Sequence, residues 1–159
     1  MEKAINILGE EIEFDCMGCD IANHKLVPPG GYIYENDFVN VCADPEIPIK
    51  GFLVLWIKKH LKSITEMTNE ERINVITALN DSINAIKKAR VAEEVLLIQE
   101  ERAEHFHIWI VPMHDWMNEI GKSVRNVKKF IDYSKEHFGE KEKEELLEAI
   151  ENIKEVYGK

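Results

Sequence analysis

Two histidines stand one residue apart in "AEHFHIWIVP", residues 103–112, a stretch that otherwise reads as a buried strand. Alternate side chains of a strand share a face, so His105, His107 and Trp109 point one way and Phe106, Ile108 and Ile110 the other. One face is hydrocarbon and belongs against a core. The other offers two imidazoles ~7 Å apart along the chain. A neutral imidazole binds a metal or attacks an electrophile through one ring nitrogen while the other holds its proton. Near the N-terminus, "CMGC" sets Cys16 and Cys19 at a spacing that lets both sulfurs reach one tetrahedral ion from a tight loop. Such a pair also fits a redox couple, which wants the motif opening a helix in a βαβ pattern, or two buried cysteines without a role. A metal would need two more ligands, and no second CxxC exists. Histidines must supply them. Among the six, His60 in "IKKH" and His105 stand at strand ends, where an ion could tie the sheet to the N-terminal loop.

The elements that must position these residues follow from punctuation and periodicity. "YIYEN" and "DFVNVCA" read as strands meeting at Asn36-Asp37, and "FLVLWIK" as a third strand buried on both sides. Thr68 and Glu71 form a capping box at the head of a long helix. Ile73, Ile76, Leu79, Ile83 and Ile86 recur along it at helical spacing to about Arg90. "EEVLLIQ" and "HFHIWIV" supply two more strands. Beyond Pro112 the chain turns helical: Val127, Phe130, Ile131 and Phe138 mark one helix, and Leu146, Ile150, Ile153 and Tyr157 another, divided near Gly139. The expected class is α+β, with five strands, one long inserted helix and a helical C-terminal extension. Its expected parts are an N-terminal arm at 1–13, a main domain at 14–116 and the extension at 117–159.

At 159 residues the chain has room for one domain with a core. Its net charge of −10 argues against broad contact with nucleic acid, which needs a basic surface, but leaves room for a small phosphorylated ligand at a local site. The longest apolar run, "FLVLWI", is too short to span a bilayer, so no membrane association is expected. No signal peptide is visible at the N-terminus, and three cysteines make a disulfide framework improbable. A cytoplasmic protein is expected.

"HFHIWIVP" resembles the His-φ-His-φ-His-φ-φ signature of the histidine triad (HIT) superfamily, with Trp109 in the third histidine's place. The resemblance runs without a gap through "YENDFVNVCADPEIPIKGFLVLWIKKHLKSITEMT", which is similar to the family's strand, strand, "D…P…G", strand and "KKH" run before its long helix. It covers about residues 14–116, and implies a five-stranded antiparallel sheet with one long helix. Many bacterial members, and the related galactose-1-phosphate uridylyltransferases, hold structural zinc through a CxxC, the "KKH" histidine and the first motif histidine. Those positions are Cys16, Cys19, His60 and His105 here. The middle histidine, the family's nucleophile, is His107. The resemblance thus implies a nucleotide hydrolase or nucleotidyl transferase that forms a nucleotidyl-histidine, works on a nucleotide or other small phosphorylated ligand, and assembles as a homodimer.

Several positions depart from the family pattern. Trp109 can donate one hydrogen bond but cannot carry a proton through a reaction. The uridylyltransferase branch has glutamine at that position. The family's "GH" before the third strand is Gly51-Phe52. The Gly-rich phosphate loop is replaced by "QEERAE", in which Gln99 and Arg102 are the candidate ligand contacts and three carboxylates would repel phosphate unless turned away. Asp44 matches a ribose-contacting acid, or caps a turn before Pro45. Two other functions remain open at this level: a binding module that holds a nucleotide or phosphometabolite without turnover, and a catalytic metal held by His105 and His107 together, with Cys16 and Cys19 elsewhere. The local basic run Lys122, Arg125, Lys128, Lys129 and the nearby His114 are expected to be surface features.

Overall fold

The unbroken apolarity of "FLVLWI" demands cover on both sides, and the strand it forms lies in the middle of the molecule. The computed structural model describes residues 1–159. The main sheet has five antiparallel strands: β3 (Tyr32–Glu35), β4 (Val39–Ala43), β5 (Leu53–Ile57), β6 (Val95–Ile98) and β7 (His107–Pro112), in the spatial order β3-β4-β5-β7-β6. Every residue of β4 and β5 is buried. Alternation sorts the side chains as the sequence implied. Val41, Leu55, Phe106, Ile108 and Ile110 join the main core on one face, while Cys42, Val54, Trp56 and Trp109 lie on the other. Cross-strand register aligns Trp56 with both Asn40 and His107.

The long helix α2 (Asn69–Lys88) begins at the expected capping box, with Thr68 Oγ1 accepting from the Glu71 N–H at 3.1 Å. Its buried stripe differs from the one that isoleucine spacing implies. Val75, Ala78, Ser82, Ala85 and Ile86 face inward, whereas Ile73 and Ile76 are 65% and 58% exposed. Small residues win the inner face because α4 (Glu140–Val156) packs beside α2 over the same core. Ser82 and the Ala78 carbonyl both meet the Tyr157 hydroxyl, at 3.1 Å each. Leu146, Ile150 and Ile153 of α4 complete that core. The preceding helix α3 (Val127–His137) covers the other side, packing Val127 and Phe130 with Phe52, Val111 and Met117.

The N-terminal segment is a two-stranded hairpin rather than an open arm: β1 (Glu2–Ile5) pairs with β2 (Glu11–Phe14). Its turn is tied to the body by the Ile7 N–H, which donates to the Pro45 carbonyl at 2.7 Å. Cys16 then caps a short helix, α1 (Met17–Ala22), so the CxxC opens a helix and not a loop. Ile21, fully buried from this helix, docks it on Cys42, Val54 and Trp56. No helix is long and apolar enough to cross a membrane.

Candidate functional site

The four donors expected for a metal come from three separate parts of the chain and meet at one point. Cys16 and Cys19 arrive on α1, His60 on the turn after β5, and His105 just before β7. Sγ of Cys16 lies 3.3 Å from Nδ1 of His105 and 3.5 Å from Nδ1 of His60; Cys19 gives 3.5 and 3.3 Å to the same atoms. The two Nδ1 atoms are 3.2 Å apart. A tetrahedral zinc with bonds of about 2.3 Å to sulfur and 2.0–2.1 Å to nitrogen requires S···N near 3.5 Å and N···N near 3.3 Å. The donors match that requirement without rearrangement.

The surroundings of His105 support the same assignment. Its Nε2–H donates to the Ile57 carbonyl at 2.7 Å, a partner that can only accept, so the proton sits on Nε2 and the Nδ1 lone pair faces the cluster. Burial, chiefly, holds this imidazole below the ordinary histidine value, which keeps the lone pair available. Desolvation and a hydrogen bond with Cys16 push the Cys19 thiol up to about 11, so a thiolate pair placed here calls for a cation to neutralise it. Gly18 is the spacer that allows the approach: a Cβ at this position would lie 2.6–2.8 Å from the His105 ring. Nothing in the spacing of "CMGC" assigns Gly18 this role, because the contact is made across the fold. The redox reading of the pair loses its appeal once the sulfurs face two imidazole nitrogens.

His107 stands outside this cluster, which counts against a joint His105–His107 metal site. Its Nδ1–H donates to the His105 carbonyl at 2.9 Å, leaving Nε2 unprotonated and without a protein partner. Burial lowers its proton affinity further, with the bond to His105 acting in the opposite sense. The ring of Trp56 lies 4.6 Å from it, centroid to centroid, and that of Trp109 6.3 Å. The sequence implies only a core position for Trp56; its neighbour across the strand pair makes it the wall behind His107. Trp109 is itself braced edge-on by Phe52, the residue that follows Gly51, at 5.4 Å.

These residues line a cavity of about 290 Å³. The N-terminal hairpin roofs it with Glu2, Phe14 and Asp15, and Glu104 enters from the segment before His105 with a left-handed φ of +64°. Asp44 lines the cavity and also caps its own turn, accepting from the Glu46 and Ile47 N–H groups at 2.8 and 3.0 Å. With Glu46, five carboxylates surround the space, and no lysine or arginine does. Of the three acids in "QEERAE" only Glu104 reaches it. Gln99 and Arg102 are exposed and lie outside the lining.

No protein-family model matches the chain. An uncharacterised HIT-like protein of Methanocaldococcus jannaschii is 25% identical over 119 residues, covering 70% of this chain and 91% of that protein. Among solved structures, a HIT-like protein involved in cell-cycle regulation from Bartonella henselae aligns with a TM-score of 0.62 at 20% identity, over 91% of this chain and 98% of its own. A zinc-bound histidine triad family protein from Mycobacterium smegmatis aligns at 0.59 and 16% identity, over 89% and 96%. The structural likeness therefore reaches beyond residues 14–116.

Proposed function

We propose that this chain, a member of the histidine triad superfamily, is a zinc-braced hydrolase or transferase that acts at phosphorus through His107. The observation that carries this reading is the hydrogen bond from His107 Nδ1–H to the His105 carbonyl, which fixes the tautomer and turns Nε2 into a free nucleophile beside a cavity. Zinc on Cys16, Cys19, His60 and His105 would supply rigidity, holding the residue whose carbonyl orients His107. In the first step Nε2 forms a bond to phosphorus as the bond to the leaving group breaks. A leaving amine departs with a proton drawn from solvent, since Trp109 has none to give up. In the second step water, or an acceptor phosphate, attacks phosphorus and releases the imidazole. Asp44, at the cavity's edge, is the candidate contact for a ribose.

One observation favours a second function, a binding module without turnover: five carboxylates line the cavity, and an indole stands where a proton carrier is expected. Release of nucleoside monophosphate from an adenosine or guanosine phosphoramidate separates the two. We expect slow turnover that disappears in His107→Ala while zinc content stays near one per chain. Absence of turnover in folded, zinc-loaded wild type sinks the enzymatic reading. The exposed Ile73 and Ile76 on α2, with Leu97 on the edge strand β6, provide apolar surface for the expected homodimer, whose mass sedimentation would give.

A further inference from the structure

The largest cavity in the protein, about 810 Å³, lies at the opposite end of β7, roughly 17 Å along the strand from His107. Four cations line it: Lys50 from the β4–β5 connection, Lys87 and Arg90 from the end of α2, and Lys122 from the segment before α3. None of the four forms an ion pair within the protein, although acids outnumber bases by ten in the chain. Glu93, Glu94 and Asp115 share the lining, so its formal charge remains positive.

The backbone is arranged to gather these cations. Gly51 has φ +77°, and a Cβ there would sit 2.5 Å from Val91 Cγ1, so only glycine lets the β4–β5 connection close on the end of α2. His114 Nε2–H donates to the Lys50 carbonyl at 2.6 Å, fixing that connection from the other side. The helix ends in a Schellman turn, with the Val91 N–H donating to Ile86 O and the Arg90 N–H to Lys87 O, both at 3.0 Å. Arg90 occupies the left-handed position of this turn at φ +58°, where glycine is the unstrained choice. The turn thus sets the Arg90 side chain at the cavity's rim, at a position other residues adopt only at some cost. Trp116 and His114 add a flat aromatic wall, their rings 15° from parallel, and Tyr133 stacks on the indole at 5.1 Å.

We propose that this cavity is a second ligand site, separate from the His107 cavity, for a nucleoside polyphosphate whose phosphates meet Lys50, Lys87, Arg90 and Lys122 and whose base lies against Trp116. The size suits such a ligand, and Lys and Arg with an aromatic surface are the groups that recognise its two ends. The site's integrity does not depend on the chemistry assigned to His107.

Calorimetric titration of the zinc-loaded full chain with ATP, and separately with inorganic triphosphate, tests it. ATP is expected to bind wild type and His107→Ala alike, at least tenfold more weakly to Lys50→Ala/Arg90→Ala, and at least threefold more weakly to Trp116→Phe. Arg90→Gly provides the variant that cannot fail by unfolding: it relieves the left-handed strain, so its melting temperature should rise while ATP binding weakens. Triphosphate should bind less tightly than ATP. Three results overturn the proposal: no ATP binding by wild type, affinity unchanged in both Arg90 variants, or loss of binding in His107→Ala. Equal affinity for triphosphate and ATP overturns the nucleoside assignment in favour of a bare polyphosphate.

Discussion

The two ends of β7 each hold a half-buried histidine beside a cavity, and they differ in almost every other respect. Burial lowers the proton affinity of both His107 and His114, so a shifted imidazole does not by itself tell a reactive residue from a structural one. What separates them is the far side of each ring. His107 donates Nδ1–H to the carbonyl of His105, just before its strand, and keeps Nε2 free at a cavity wall. His114 spends Nε2–H on holding the Lys50 backbone. The walls also differ in charge: five carboxylates and no cation line one, four cations and three carboxylates the other. A partnerless ring nitrogen in an acidic pocket and a cationic pocket without one fit the proposed division of labour between chemistry and anion capture.

The strongest way to break the comparison is to strip the proposed metal site of any ion, because only one end should notice. Chelation by EDTA would leave two thiols and two imidazoles packed together without a neutralising ion. A loss of about 3–5 kcal/mol is expected, a fall in melting temperature of roughly 10 °C for a chain of this size. ATP affinity at the other end should stay within a factor of two. An unchanged melting temperature would remove the metal centre from the account. Gly18→Ala is the graded version: its methyl group must displace the His105 ring, at about 1–3 kcal/mol, and zinc content should fall.

That Gly18 has this role was not legible in the sequence, and the reason generalises. Residues whose function rests on type and spacing could be found: Cys16, Cys19, His60 and His105 were identified, and the structure brings their donor atoms within bonding range of a single ion. The strands and the capped long helix were legible for the same reason, since period and punctuation are local. The hidden features were decided by packing across the fold. Spacing could not show that α2 turns Ala78, Ser82 and Ala85 inward in place of Ile73 and Ile76, because the choice depends on α4. Nor could it show that the acidic N-terminal arm folds into a hairpin over the His107 cavity, or that Gly51 draws Lys50 to Arg90. Lys122 is exposed, as the sequence implies; that it also borders a cavity depends on the chain's return after β7.

Asp44 offers a smaller effect confined to the acidic end. Burial pushes its carboxyl up to about 6, against the pull of the two N–H donors of its turn. The folded state therefore binds more protons than the unfolded state between about pH 4 and 6, and this group's contribution to stability falls as pH rises through that window. Asn keeps the oxygen that caps the turn and removes the buried charge. Asp44→Asn should flatten the decline and gain on the order of 1–2 kcal/mol at pH 7.5. Urea unfolding at pH 4.5 and 7.5 measures both. A variant less stable than wild type at pH 7.5 would mean that the Asp44 charge has a compensating partner at the cavity.

The smallest effect has the clearest sign. Salt screens charges over about 10 Å at 0.1 M, and the two cavities present opposite charge to the same anion. Raising ionic strength from 50 to 300 mM should weaken ATP binding at the cationic end several-fold, because the attraction between phosphate and the exposed cations is screened. Over the same range, kcat/KM for an anionic phosphoramidate at His107 should rise, by about twofold, as the repulsion from Glu2, Asp15, Glu46 and Glu104 is screened. The gain should come from a lower KM at constant kcat, since approach and not bond-making is being altered. If both quantities fall together, the acidic walls do not govern access to His107, and the electrostatic contrast between the two ends has no part in function.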